Sequence, residues 1–105
     1  MYLRAGVDIP RPMEDVLWYV FASTRGGPTR AEIVRTLQDH PQNANQLAEE
    51  LEYNYTTIRH HLDVLQDNNV LKSTGSGYGD VYSFTDAAKA ESETLDEILD
   101  RVLEP

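Results

Sequence analysis

The hydrophobic period changes near Asn68-Asn69, and that change limits what this chain can fold into. Before it, apolar residues recur at helical spacing in several separate segments. After it, Val70-Leu71-Lys72-Ser73-Thr74 and Val81-Tyr82-Ser83-Phe84-Thr85 alternate as strands do, around the turn-rich Gly75-Ser76-Gly77-Tyr78-Gly79-Asp80. A helical stripe then returns from Asp86 to about Leu103. With 105 residues there is room for one core and not for two of ordinary size. The pattern predicts a mainly α chain with a small β-hairpin, residues 1–105 forming one domain.

Residues 1–11 read as an irregular lead-in, and Pro12 suits a first helical turn, where its missing N–H costs nothing. Met13, Val16, Leu17, Val20 and Phe21 make a stripe, which predicts an N-terminal helix over 12–24. Trp18 and Tyr19 widen that stripe beyond one buried face. They either complete the core or contact a second copy, since aromatic side chains favour interfaces. Arg25-Gly26-Gly27-Pro28 is a break, after which Thr29 and Glu32 have the spacing of a capping box. Ala31, Ile33, Val34 and Leu37 carry the next helix to Pro41, with Arg30 and Arg35 as surface arginines within reach of a phosphate. Pro41-Gln42-Asn43 reads as a turn, and Asn43 or Asn45 caps a short helix facing inward through Leu47, Ala48 and Leu51.

The following helix carries the candidate functional face. Asn54 is a good N-cap, Ile58, Leu62 and Leu65 form its buried stripe, and His61 lies beside that stripe. Tyr55, Thr56, Arg59, His60 and Asp63 fall on the outer side, a short polar and aromatic face that can bond base edges or phosphates. An ordinary amphipathic helix is the alternative, although solvated faces usually carry Glu and Lys. Two helices joined by a turn of about three or four residues make a helix-turn-helix. A hairpin directly after it makes the arrangement a winged helix-turn-helix, here 29–85, with extra helices at 12–24 and 86–103. The glycines at 75, 77 and 79 do not form a dinucleotide-binding loop, because a strand rather than a helix follows them. The wing reading gives Lys72, Ser73, Thr74, Ser76 and Tyr78 a place on the DNA backbone or minor groove.

Charge pulls against nucleic-acid binding. Lys and Arg number 9 against 18 Asp and Glu, a formal charge of −9, whereas DNA-binding domains are ordinarily basic. The charge is segregated, however. From Asp86 onward Asp86, Glu91, Glu93, Asp96, Glu97, Asp100 and Glu104 stand against Lys89 and Arg101. From Tyr53 to Thr85 only Asp63, Asp67 and Asp80 oppose Arg59 and Lys72. Seven of the nine bases are Arg, a balance expected of a salt-rich cytoplasm, where cations would bridge carboxylates to phosphate. The terminal stripe of Ala88, Leu95, Ile98, Leu99, Val102 and Leu103 suggests pairing with the 12–24 helix, with its symmetry mate, or with both. The expected homodimer interface is therefore Trp18, Tyr19, Leu95, Ile98, Leu99 and Val102, since helix-turn-helix proteins commonly read two half-sites.

Several chemistries find no support. The absence of cysteine excludes disulfides and thiolate metal sites. His60 and His61 are adjacent and point about 100 degrees apart, unlike a zinc-binding pair at i, i+4, so no metal is expected. No serine sits in a nucleophile elbow and no carboxylate pair suggests acid–base catalysis, so neither an enzyme nor a cofactor is expected. No apolar run reaches the roughly 18 residues of a membrane span, and Met1–Asp8 lacks a signal-peptide core, which points to the cytoplasm.

Three segments together resemble a known group. Thr24-Arg25-Gly26-Gly27-Pro28-Thr29-Arg30, Asn43-Ala44-Asn45-Gln46-Leu47-Ala48 and Arg59-His60-His61-Leu62-Asp63-Val64-Leu65 are similar to the small ArsR-type winged-helix regulators of archaea, haloarchaea especially. The resemblance covers about residues 24–85 and implies a DNA-binding transcriptional regulator, commonly homodimeric. It implies that Tyr55, Thr56, Arg59 and His60 enter the major groove, and it makes His61-Leu62 a structural pair. The metal-sensing members carry Cys-x-Cys near the second helix. Here Asn45-Gln46-Leu47-Ala48-Glu49 stands in that region, so thiolate sensing is not inherited.

The expected DNA-binding set is Asn43, Asn45, Asn54, Tyr55, Thr56, Thr57, Arg59, His60, Lys72, Ser76 and Tyr78. The competing expectations are a winged helix used for protein–protein contact without DNA, which the −9 charge would suit, and a ligand- or metal-responsive sensor.

Overall fold

The computed structural model describes residues 12–75 and 79–104. The lead-in expected over 1–11 and the candidate residues Ser76 and Tyr78 lie outside them. In chain order the elements are α1 (Met13–Ala22), α2 (Gly27–Asp39), β1 (Gln42–Asn43), α3 (Ala44–Leu51), α4 (Tyr55–Asp67), β2 (Leu71–Ser73), β3 (Val81–Phe84), α5 (Asp86–Ala90) and α6 (Ser92–Leu103). The fold is mostly helical with a small antiparallel sheet, as a winged helix-turn-helix requires.

Local chemistry explains most boundaries. Asn43 caps α3 with a full capping box: its Oδ1 accepts from the Gln46 amide at 2.8 Å, and its own amide donates to Gln46 Oε1 at 2.9 Å. Asn54 caps α4, accepting from the Thr57 amide at 2.8 Å. After α4 the chain turns through Asn69 at φ 62°, the left-handed conformation that Asn tolerates.

Four boundaries differ from the sequence expectation. α1 stops at Ala22 rather than Thr24. α2 starts at Gly27, so Thr29 is already helical and forms no capping box with Glu32. The Glu32 carboxylate instead accepts from the Tyr53 hydroxyl at 2.7 Å, tying α2 to the α3–α4 turn. The early start needs glycine, because a Cβ at Gly27 would collide with the Phe21 carbonyl. The segment read as one terminal helix is two, α5 and α6, breaking at Glu91; Thr85 rather than Asp86 caps α5, its hydroxyl accepting from the Ala88 amide at 3.1 Å.

The sheet holds one strand more than the expected hairpin. Gln42-Asn43, read as a turn, pairs antiparallel with β3, giving the order β1-β3-β2. In this register Tyr82 lies opposite both Gln42 and Ser73, and Lys72 lies opposite Ser83. Tyr82 is therefore central and buried, while Lys72 points to the other face and is exposed.

A continuous core runs from Leu17, Val20 and Phe21 through Ile33, Val34 and Leu47 to Ile58, Leu62, Leu65, Leu95, Ile98 and Leu99. This corrects part of the expected dimer interface. Leu95, Ile98 and Leu99 are buried inside the chain itself, because α6 packs on α1 and α2, which leaves no apolar stripe there for a second copy. Arg35 to Asp100 at 2.7 Å and Gln38 to Asp96 at 2.8 Å clip α6 to α2 along the edge of that contact. Trp18 and Val102 are half-buried, with the Arg101 guanidinium 5.9 Å from the Trp18 ring centre, and Tyr19 is 50% exposed.

Candidate nucleic-acid interface

Helix α4 is wedged into the core by Ile58, His61, Leu62 and Leu65, which leaves its N-terminal turns projecting. Tyr55 is 49% exposed, and Thr56 and His60 are exposed. Both helix starts are held by Asn caps, and a helix start concentrates amide donors and positive dipole, which favour a phosphate. The cap roles bear on two expected contacts. The Oδ1 atoms of Asn43 and Asn54 are engaged with the backbone, which leaves their amide NH2 groups as donors. Thr57 is half-buried one turn into α4.

A cleft of about 220 Å³ separates α4 from the wing, lined by Asn43, Asn45, Tyr55, Arg59, Asp80 and Tyr82 among others. The fold thus brings Asn43, Asn45, Tyr55 and Arg59 together. Lys72 sits on the far face of the sheet and His60 on the opposite flank of α4, so neither joins this cleft. Tyr82 and Asp80 were missed from the sequence. The alternation of Val81-Tyr82-Ser83-Phe84 put Tyr82 on one face, but only the pairing of β3 with both neighbours brings it beneath Arg59.

Arg59 is held in two directions. Its Nη1 donates to the Tyr82 hydroxyl, and its Nη2 donates to Asp63 at 3.1 Å, one turn along α4. Its guanidinium also lies 6.0 Å from the Tyr82 ring centre. Burial works against its charge, but the Tyr82 hydrogen bond and the nearby Tyr82, Asp63 and Tyr55 outweigh it, so its pKa is raised. The Asp63 pair is part-exposed, and such pairs contribute little, about 0.2–1 kcal/mol. Arg59 can therefore exchange Asp63 for another acceptor at small cost while the Tyr82 hydroxyl still holds Nη1.

Arg30, expected as a surface arginine, is 5% exposed and unavailable to a DNA phosphate approaching α4 from the cleft side. Its Nε donates to the Val20 carbonyl at 3.2 Å, its Nη1 to His61 Nδ1 at 3.0 Å, and its Nη2 to the Thr24 hydroxyl. Burial lowers its pKa. His61 is 8% exposed, as its expected core role requires, and burial together with the charges of Arg30 and His60 lowers its pKa. A neutral His61 accepts from Arg30 through Nδ1 and stays compatible with it.

Residues 27–73, from α2 to β2, match the family described as Bacterial regulatory protein, arsR family. The matched stretch contains α3, the turn and α4, the elements that build the face above. A solved structure described as a probable transcriptional regulator from Pseudomonas aeruginosa is similar in fold, with a TM-score of 0.59 and 23% identity over 89% of this chain and 76% of that one. No curated protein matches the chain. Both matches carry descriptions of regulators rather than enzymes. Among the described residues no helix is long and apolar enough to cross a membrane, and no three His, Asp or Glu side chains are grouped to hold a metal.

Proposed function

We propose that this chain is a transcriptional regulator that binds double-stranded DNA, with α4 in the major groove. The observation that carries this reading is the projecting start of α4, where Tyr55, Thr56 and Arg59 stand beside the capped start of α3 and the wing cleft. Arg59 leaves Asp63 and takes a guanine edge, an exchange worth about 1–3 kcal/mol of discrimination. Tyr55 and Thr56 read neighbouring edges, and His60, on the other flank of α4, faces the backbone. Asn43, Asn45, Asn54 and Thr57, at the two helix starts, hold backbone phosphates, and Lys72 with the wing residues Ser76 and Tyr78 adds contacts on one side.

The regulator acts as a homodimer on two half-sites. Its interface is built from Trp18, Tyr19 and Val102, which retain surface, rather than from the buried part of α6. The acidic balance of −9 supports a salt-adapted binder, in which cations bridge carboxylates to phosphate and flatten the usual fall of affinity with salt.

Fluorescence anisotropy on a pool of genomic duplexes, titrated with KCl from about 0.1 M to molar concentrations and followed by sequencing of bound fragments, tests the proposal. Enrichment of a partly palindromic sequence is the expected result. A folded protein that binds no duplex at any salt would instead favour a protein-contact module, the reading its net charge also suits.

A further inference from the structure

The flank of α4 turned toward α1 has a feature that DNA reading by Arg59 does not use. A cavity of about 630 Å³ opens between α1, the α1–α2 turn and α4, lined by Tyr19, Arg25, Arg30, His60, His61 and Asn68 among others. Among the described residues no carboxylate lines it, although the chain has twice as many acids as bases. Among the described residues Arg25, Arg30, His60 and His61 converge there.

Arg30 is the unusual member. It is almost fully buried, yet among the described residues it has no carboxylate partner. Buried charges are ordinarily paired or coordinated. Its hydrogen-bond partners are a carbonyl, a hydroxyl and an imidazole nitrogen, all neutral, and a guanidinium carries five N–H donors, more than these three acceptors use. Backbone comes close to it because position 26 is glycine: a Cβ there would lie 2.6 Å from Arg30 Nη1 and 2.7 Å from His61 Cε1. Arg25 and His60 are exposed at the rim, where a ligand can reach them.

We propose that this cavity is an oxyanion site, in which Arg30 at the wall and Arg25 and His60 at the rim hold a phosphate group. The group supplies the negative charge that Arg30 lacks. It comes either from a free phosphate or phosphorylated small molecule, or from the DNA backbone running past α4. Since His60 and His61 belong to α4 and Arg30 to α2, occupancy braces α4 against the rest of the core.

The test is an NMR titration of the whole chain with inorganic phosphate near neutral pH, at ionic strength held constant with KCl. Saturable shifts of the Arg30 Nε–H, the His60 and His61 rings and the Gly26 and Gly27 amides are expected. Arg25→Gln, at an exposed position, weakens binding about tenfold with the fold unchanged. Arg30→Lys keeps a cation with fewer donors and also weakens it. A parallel titration with duplex DNA separates the sources. Saturation by phosphate alone identifies a free-anion site and stands even if no duplex binds. Shifts of the same groups by duplex but not by phosphate identify a DNA phosphate, with the salt dependence of binding reduced by about one counterion in Arg25→Gln. No shift with either probe, or phosphate shifts that stay linear and persist in Arg25→Gln, would overturn the site.

Discussion

Two arginines flank α4, and they behave as opposites. Arg59 lies on the wing side, half-exposed, with an acid and a tyrosine hydroxyl to hold it. Arg30 lies on the α1 side, buried, and is held by neutral acceptors from α1, its adjoining turn and α4. One residue type thus serves two ends. A guanidinium whose exposed ion pair is cheap to break can reach a ligand. One whose hydrogen bonds span two helices and a turn is a strut, since removing it strands several buried acceptors. The sequence placed both on helix surfaces, and the tertiary arrangement separated them.

The comparison can be broken most directly by truncating each arginine in turn. Arg30→Ala should lower unfolding free energy by about 3 kcal/mol, because His61 Nδ1 and the Val20 carbonyl lose a donor inside the core. Arg59→Ala should cost under about 1 kcal/mol in the same urea denaturation. Equal losses would show that the two flanks are not different in kind. In DNA binding the order reverses: Arg59→Ala should weaken binding to the preferred site by about 1–3 kcal/mol while the protein stays folded. A variant that binds that site as tightly as the parent would remove Arg59 from the interface.

The helix starts offer an intermediate effect. Asn54→Ala should cost about 1 kcal/mol of stability through loss of the bond to the Thr57 amide. No change in the denaturation midpoint would mean that the cap is not needed to start α4.

Protonation sharpens the buried side. His61 has a folded pKa below its ordinary value of 6.5, so the unfolded chain binds the extra proton first. Its contribution to stability is complete above about pH 6.5 and is lost as pH falls through the window below that value. Thermal melting should therefore drop with acidification in that window, and His61→Gln should flatten the dependence; an identical slope in the variant would clear His61 of the effect. The smallest change is expected at Asp63→Asn, within about 1 kcal/mol of stability. Its value lies in the direction on DNA: releasing Arg59 and removing a negative charge should tighten binding, and weaker binding would mean that Asp63 positions Arg59 rather than restrains it.

Legibility differed between near and distant features for a simple reason. The cap at Asn54, the buried stripe of α4 and the wing order depend on residues within a few positions of one another, so spacing reveals them, whereas at the start of α3 spacing left Asn43 and Asn45 as equal candidates and the structure uses Asn43. The strand β1 escaped because two residues carry no period, and pairing with β3 is what makes them a strand. Thr29 looked like a cap because its spacing to Glu32 was right, but the close approach of Gly27 to Phe21 starts the helix earlier. Leu95, Ile98 and Leu99 were equally suited to a partner or to the chain's own core, because an apolar stripe does not name the surface that will cover it.

Residue spacing alone thus specifies the helical stretches, though not the break at Glu91, together with the start of α4 and the wing after it, since local hydrogen bonding and hydrophobic period fix these. The tertiary structure alone decided which arginine is buried, that Tyr82 lies under Arg59, and that α6 closes on α1 and α2. Those outcomes depend on contacts between residues far apart in the chain, and a side chain's partner there is chosen by packing rather than by spacing.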